Sequence, residues 1–348
     1  MLPEFKPTTQ DPWDRRKAAH LLWRAGFGPL PYEVDRALSD GLQKTVDRLL
    51  SGDETAEAVP PPSWTQIEEP PPTPRGQLTQ QERMQRVIRN ITQNQETKAW
   101  FLERFAFGKQ PLREKMGLFW HGHFVTESRK VNLSRWVLSY VQFLRENSLS
   151  DLGSLLRGIS REPAMLRYLD NNQNRKGRPN ENYARELLEL FSMGVGNYTE
   201  DDVKAAARAF TGWSSVPFGG ARGFQVNRFA HDDGEKTFLG ETGNFDGDDI
   251  IGIILKKPVT ARFIAGKLCR FFAADEPPAP VIDGLAAVLR ENGYGMRPAL
   301  RALFRSDFFY SPDLMAHGSR ARSSWWSAPG GSSGQRSATA GPCSATCA

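Results

Sequence analysis

Asn180-Glu181-Asn182-Tyr183-Ala184-Arg185-Glu186-Leu187-Leu188-Glu189-Leu190 decides the fold class of this chain. At about 100° per residue, Tyr183, Ala184, Leu187, Leu188, Leu190 and the following Phe191 share one arc. Glu181, Arg185 and Glu189 repeat at four-residue spacing on a separate stripe, which suits surface ion pairs. Glu186 borders the apolar arc near Leu190. The segment therefore predicts a capped amphipathic helix. The loop before it, Asn174-Arg175-Lys176-Gly177-Arg178-Pro179, brings Arg175, Lys176 and Arg178 to the helix N-terminus, where backbone N–H groups also face outward. This combination suits contact with an anion or an acidic partner, set against the plainer reading of a solvated loop. The Gly-x4-Gly-Lys-Ser/Thr pattern of a phosphate loop is absent.

Helical periodicity continues in both directions. Asp11-Pro12-Trp13-Asp14 reads as a helix start, with the helix running to Ala25 and stopping at Gly26. Pro31 to Ser39 and Leu42 to Leu50 follow, broken at Gly41. Residues 51–78 change character: Pro60-Pro61-Pro62 and Pro70-Pro71-Pro72 mark a loop that crosses the surface of one domain. Thr79 with Glu82 is a capping box for a long helix marked by Met84, Val87, Ile88, Ile91, Trp100, Phe101, Leu102 and Phe105. Further helical patterns start near Gln110, Val131, Thr199, Asp249, Pro258, Val281 and Met296. Phe224 to Leu239 is the strand candidate, a short hairpin around Asp232-Asp233-Gly234. Strands and helices do not alternate, so a parallel sheet is excluded. The expected fold is all-α, with one short β-hairpin and the Pro-rich crossing loop.

Five histidines can be weighed singly. On the helix ending near Phe124, His123 falls at the centre of an apolar arc with Leu112, Met116 and Phe119, and His121 points almost opposite. The two could chelate one metal only if the helix ended before them; otherwise one is a core histidine and the other a surface one. His231 sits in the Asp232-Asp233-Gly234 turn beside Lys236. Turn chemistry explains Asp233 and Gly234 but neither His231 nor Lys236, so His231 is a candidate ligand or general base. His20 reads as a surface residue and His317 opens the irregular tail. Asp246, Asp248 and Asp249 lack the spacing of a calcium loop and fit a helix N-cap.

Bulk properties exclude several classes. The chain has 348 residues, 39% hydrophobic and 24% charged, with a net charge of +5. That is an ordinary globular composition. Acidic and basic residues interleave, so charge gives no case for nucleic-acid binding. Three cysteines make no disulfide framework. No basic stretch followed by an apolar core opens the chain, and no apolar run nears the roughly 20 residues of a membrane span. A cytoplasmic protein is expected.

With these segments in hand, the chain resembles the bacterial family known as domain of unknown function 1800. The resemblance rests on Ala19-His20-Leu21-Leu22-Trp23-Arg24-Ala25-Gly26-Phe27-Gly28, on Lys115-Met116-Gly117-Leu118-Phe119-Trp120-His121-Gly122-His123-Phe124, on Asn180 to Gly194, on Ala209-Phe210-Thr211-Gly212-Trp213, and on His231-Asp232 with Lys236-Thr237. Pro258 to Phe272 fits as well. It implies a largely helical protein with no accepted catalytic residues, found beside sulfatase-like partners in bacterial genomes.

Two functions follow as expectations. The first is a metal-assisted enzyme, a hydrolase, with a divalent metal on His123 and His231 and with His231, Glu186 and Lys236 as catalytic groups. The second is a non-catalytic partner or assembly protein whose Arg175, Lys176 and Arg178 dock an acidic surface. Residues 1–315 are expected to form one helical domain. Residues 316–348 read as an irregular tail, disordered or frameshifted, because Arg, Ser, Trp, Ala, Gly, Pro and Cys are what a GC-rich gene yields out of frame.

Overall fold

The computed structural model describes residues 2–52, 59–66, 78–216 and 223–316. Most of the Pro-rich loop and nearly all of the expected tail lie outside the described residues. Among those described, fifteen α-helices and four three-residue strands are present. The helices are α1 (Arg15–Ala25), α2 (Pro31–Ser51), α3 (Gln80–Phe107), α4 (Pro111–His123), α5 (Ser128–Val131), α6 (Ser134–Glu146), α7 (Leu152–Arg161), α8 (Pro163–Tyr168), α9 (Asn182–Glu186), α10 (Glu200–Ala209), α11 (Gly247–Lys256), α12 (Pro258–Phe272), α13 (Ala279–Glu291), α14 (Met296–Phe304) and α15 (Pro312–Ala316). No helix is long and apolar enough to cross a membrane, among the described residues.

Local chemistry explains most helix ends. Thr79 and Glu82 close a reciprocal capping box on α3, Thr199 and Asp202 do so on α10, and Asp246 and Asp249 on α11. Gly41 takes a positive φ of 77° and breaks α2 in two. One start differs from expectation. Asp14, not Asp11, caps α1 by accepting from Lys17 N at 2.8 Å. Pro12 stays outside the helix, and its carbonyl accepts from the Lys17 ammonium.

The strands also pair differently from the expected hairpin. β1 (Trp213–Ser215) pairs antiparallel with β2 (Phe224–Val226), and β3 (Lys236–Phe238) pairs with β4 (Glu241–Gly243). The Asp232–Gly234 turn therefore joins two separate small sheets. The tight turn of the second pair is Leu239–Gly240, where both residues have positive φ.

One contiguous apolar core runs through the fold from Phe5 to Leu314. Much of it comes from α4, α6, α7 and α12. Two tryptophans and an arginine at its edge donate to backbone carbonyls. Trp120 donates its indole N–H to the Ser148 carbonyl at 2.9 Å. Trp100 and Arg104 both donate to the Val59 carbonyl, which pins the described part of the Pro-rich loop onto α3.

A buried charge cluster joins three helices. Glu114 on α4, 2% exposed, takes two bonds from Arg104 on α3, at 3.0 and 2.8 Å, and one from Arg145 on α6, at 2.9 Å. A buried carboxylate with two guanidinium partners is tolerated because its lone pairs are filled. Removing it strands buried arginine charge. Glu114→Ala is expected to lower unfolding free energy by about 3–5 kcal/mol, read from urea denaturation. A loss under 1 kcal/mol would mean the cluster is not a structural anchor.

Candidate functional site

Residues from three parts of the chain meet at His123. It lies at the last position of α4, 5% exposed, as its helical arc predicts. Its Nε2 lies 3.0 Å from the Phe191 carbonyl, and its Nδ1 lies 3.0 Å from the Lys267 ammonium on α12. These partners assign the tautomer: Nε2–H donates to the carbonyl, and Nδ1 accepts from lysine. Lys267 also donates to the Leu190 carbonyl at 2.9 Å.

Those carbonyls belong to an unexpected element. The amphipathic segment is not one regular helix. α9 stops at Glu186, and Leu187–Ser192 continues as a π-helical turn. The wider turn rotates the following residues. Leu190, placed by a regular helix in the apolar arc, is 47% exposed, and Phe191 stays buried. His123 and Lys267 together cap the carbonyls of this turn. Burial, with the Lys267 charge second, pushes the His123 imidazole well below its ordinary value. Burial likewise brings Lys267 down to about 8.

Two other histidines differ from expectation. His121 is not a surface residue but half-buried, with Phe101 and Tyr140 against its ring. His20 is not on the surface either. It is 6% exposed and meets Phe309 edge-on, and burial pulls it down to about 4. The helix wheel could not show this, because residues 307–310 cover that face of α1 from the far end of the chain.

His231 follows a short 3-10 turn, Arg228–Ala230. Its Nδ1 lies 2.8 Å from the Thr211 carbonyl, and its Nε2 lies 4.0 Å from Asp233. Asp232 is held at both oxygens by Arg208, at 2.7 and 3.3 Å, which brings its carboxyl down to about 2. Lys236 is buried and donates to the carbonyls of Asp232 (2.6 Å) and Gly234 (2.9 Å). The turn is thus stapled from inside by its own lysine. Glu186 is half-buried at the end of α9, and burial followed by the Glu189 charge raises its carboxyl. His123 and His231 rest on different carbonyls, of Phe191 and Thr211. No group of three or more His, Cys, Asp or Glu able to hold a metal occurs among the described residues.

The basic loop is tied to neighbouring segments by several hydrogen bonds. Buried Asn171 donates to the Trp213 carbonyl at 2.9 Å. Buried Asn174 donates to the Ala207 carbonyl at 2.8 Å and accepts from Asn180 N at 2.9 Å. Between them the chain turns at Gly177, whose φ of +78° favours glycine, and Arg175 pairs with Arg178. Gly212 then joins this loop to a neighbouring segment. Its N–H donates to the Asn174 carbonyl, and its own carbonyl accepts from Asn227 N. A side chain there would meet the Asn227 carbonyl at 2.4 Å. Lys176 N donates to the Ala230 carbonyl at 2.7 Å. The result is one outer face carrying Arg175, Lys176, Arg178 and Arg228, all exposed, beside Phe229, which is 100% exposed.

Sequence reasoning missed Arg228 and Phe229, because only the fold brings them beside the loop. It also missed a recess of about 260 Å³ lined by Lys130, Arg167, Asp170, Asn172 and Gln173, whose last two residues lead into the basic loop. Asp170 there is paired with Lys130 at 2.7 Å. A larger, open recess of about 560 Å³ includes Asp202 and Lys257. Their polar atoms are already used: Asp202 caps α10 and accepts from Leu239 N, and Lys257 donates to the Leu239 carbonyl.

A helical protein with a pinned basic face is the class that fold and site define. The chain belongs to the family described as Protein of unknown function (DUF1800), whose model matches residues 20–324. No curated protein matches it, and no solved structure does.

The two buried histidines set an acid dependence. Above pH 6.5 both are neutral folded and unfolded, so they leave stability unchanged. Below it the unfolded chain takes up protons that the buried rings refuse, and stability falls with pH, for His20 down to about 4, with His123 also held well below its ordinary value. The slope should be about 1.4 kcal/mol per pH unit for each ring. Urea titrations between pH 7 and 5 should show it, and His20→Gln should remove one ring's share. An unchanged slope in that variant would contradict a buried neutral His20.

Proposed function

We propose that this protein is a non-catalytic recognition or assembly protein that docks an acidic partner through the face of Arg175, Lys176, Arg178, Arg228 and Phe229. The observation that carries this reading is a loop of exposed cations closed by the Asn180 N–H on buried Asn174 and tied to a neighbouring segment by the Lys176 N–H on the Ala230 carbonyl. Among the described residues none of these four cations has a carboxylate partner. Flexible surface lysines and arginines lose rotamer and loop freedom when they bind. A pinned loop has already lost part of it, so more of the charge attraction survives as affinity. An exposed aromatic beside basic residues is the usual composition of an interface anchor. Arg167 adds a cation in the adjoining recess, where Lys130 is paired with Asp170. A sulfatase-like protein, the partner that the family resemblance brings in, is a specific candidate.

The metal-assisted hydrolase, with a metal on His123 and His231 and with Glu186 and Lys236 assisting, has less support. Both nitrogens of His123 are engaged, one by a carbonyl and one by an ammonium. A ligand nitrogen needs a free lone pair. Lys236 has two carbonyl partners and little exposure.

A labelled oligo-glutamate peptide tests the docking reading. Fluorescence anisotropy should show binding at low salt that weakens as ionic strength rises, because the attraction is between exposed charges. The triple variant Arg175→Ser, Lys176→Ser, Arg178→Ser should weaken it at least about tenfold, the effect of losing roughly 1.4 kcal/mol. Asn174→Ala should weaken it while leaving every cation in place. Unchanged binding in the triple variant would refute the docking face. Stoichiometric metal in purified protein, lost in His231→Ala, would move the reading to the hydrolase.

A further inference from the structure

The most unusual surface outside this site is the first half of α3. The helix packs through Gln93, Thr97, Trp100 and Arg104, all buried. Gln93 accepts from the Ser134 hydroxyl, Thr97 donates to the Gln93 carbonyl, and Arg104 pairs with Glu114. At 100° per residue, Met84, Val87, Ile88 and Ile91 lie about half a turn away. They are 52–59% exposed. Gln81 to Arg89 are exposed all round among the described residues. The first half of the helix is therefore inverted: its packed side chains, Gln93 and Thr97, are polar and its aliphatic stripe faces outward. A surface helix of a globular protein normally turns its apolar stripe inward.

We infer that this stripe is the contact for a second copy of the chain, paired antiparallel along Gln80 to Gln95. Three features select that occupant. The spacing 84, 88, 91 is that of a coiled-coil seam, in which small aliphatic side chains interlock with a like helix. The side chains flanking the stripe within Gln80 to Gln95 are Gln80, Gln81, Thr92, Asn94 and Gln95, with Arg83 the one cation, and an antiparallel pairing sets Arg83 against Thr92 of the second copy, so two identical faces meet without like-charge repulsion. Gln95 and Lys98 continue the same line. A flat lipid surface would bury Gln95 without a hydrogen-bond partner, even with Lys98 reaching back to water. A two-fold axis between Val87 and Ile88 instead sets Met84 against Ile91 and Val87 against Ile88 of the second copy, with Lys98 beyond the overlap. Four half-exposed aliphatic side chains and their glutamine neighbours, doubled by symmetry, bury on the order of 1,000 Å², the lower bound for a specific interface.

The test uses the full chain. Sedimentation equilibrium across about 1–100 μM, a range that brackets micromolar affinity, should show a mass rising from 39.0 kDa toward twice that value. Ile88→Glu should stay monomeric at every concentration, and Gln85→Glu, off the stripe, should still associate. A photo-crosslinking residue in place of Met84 should capture residues 87–95 of a second copy. A monomer throughout, or an Ile88→Glu protein that still doubles its mass, overturns the inference. So does capture of residues 67–77 or 317–348 of the same chain, which would make the occupant internal. So does Ile88-dependent co-sedimentation with anionic vesicles by a protein that stays monomeric without them.

Discussion

Glu114 lies where almost no water reaches it, and the orientation of three helices depends on its arginine partners. A lone carboxylate in that position would be driven to protonate or to open the structure. Arg104 and Arg145 fill its lone pairs instead. The consequence is greatest for α3. Its inward face offers Gln93, Thr97 and Arg104 besides Trp100, while Phe101 and Phe105 pack at its C-terminal half, so polar contacts hold chiefly the first half of the helix. That is what leaves its aliphatic residues free to face outward. α4 carries the carboxylate at one end and His123 at the other. The same helix thus anchors α3 and delivers the ring that caps the π-helical turn.

A common device recurs around the basic loop. Carbonyls that a regular helix or sheet would satisfy are taken by side chains from distant segments. Lys267 and His123 take those of Leu190 and Phe191, Asn171 that of Trp213, and Asn174 that of Ala207. Each such bond is modest in net stability, but leaving a buried carbonyl unpaired would cost more. The non-helical stretches are therefore fixed by hydrogen bonding rather than by packing alone. This is why a loop with three exposed cations has a defined shape.

Much of the local structure was legible in the sequence, and the reasons are local. Capping boxes need only four residues, so those of Thr79 and Thr199 read directly. Gly41 breaks α2 because of its own backbone freedom. The burial of His123 followed from three apolar neighbours on one helix. What failed needed information from elsewhere in the chain. His20 is covered by residues nearly three hundred positions away. The strand pairing of Phe224–Val226 with Trp213–Ser215 competes with a nearer hairpin that looks equally good in sequence. The π turn changes register by a fraction of a turn, enough to expose Leu190, and nothing in Leu187–Ser192 marks it beforehand. An amphipathic pattern shows that a helix has an apolar face. It does not show which way that face points, and α3 turns it outward.

The same distinction bears on function. Residue type made His123, His231, Lys236 and Glu186 candidates for chemistry. Catalytic use asks more than type: a general base needs an available lone pair, and a metal ligand needs company at bonding distance. His123 has its Nδ1 lone pair filled by an ammonium, and Lys236 binds two carbonyls of its own turn. These groups do structural work with chemically capable side chains. Arg175, Lys176 and Arg178 show the reverse. Their side chains are exposed, and their backbone is held by buried asparagines. A surface that keeps its charges accessible and its backbone hydrogen-bonded suits contact with another charged surface, and this asymmetry is what supports the proposed recognition role over catalysis.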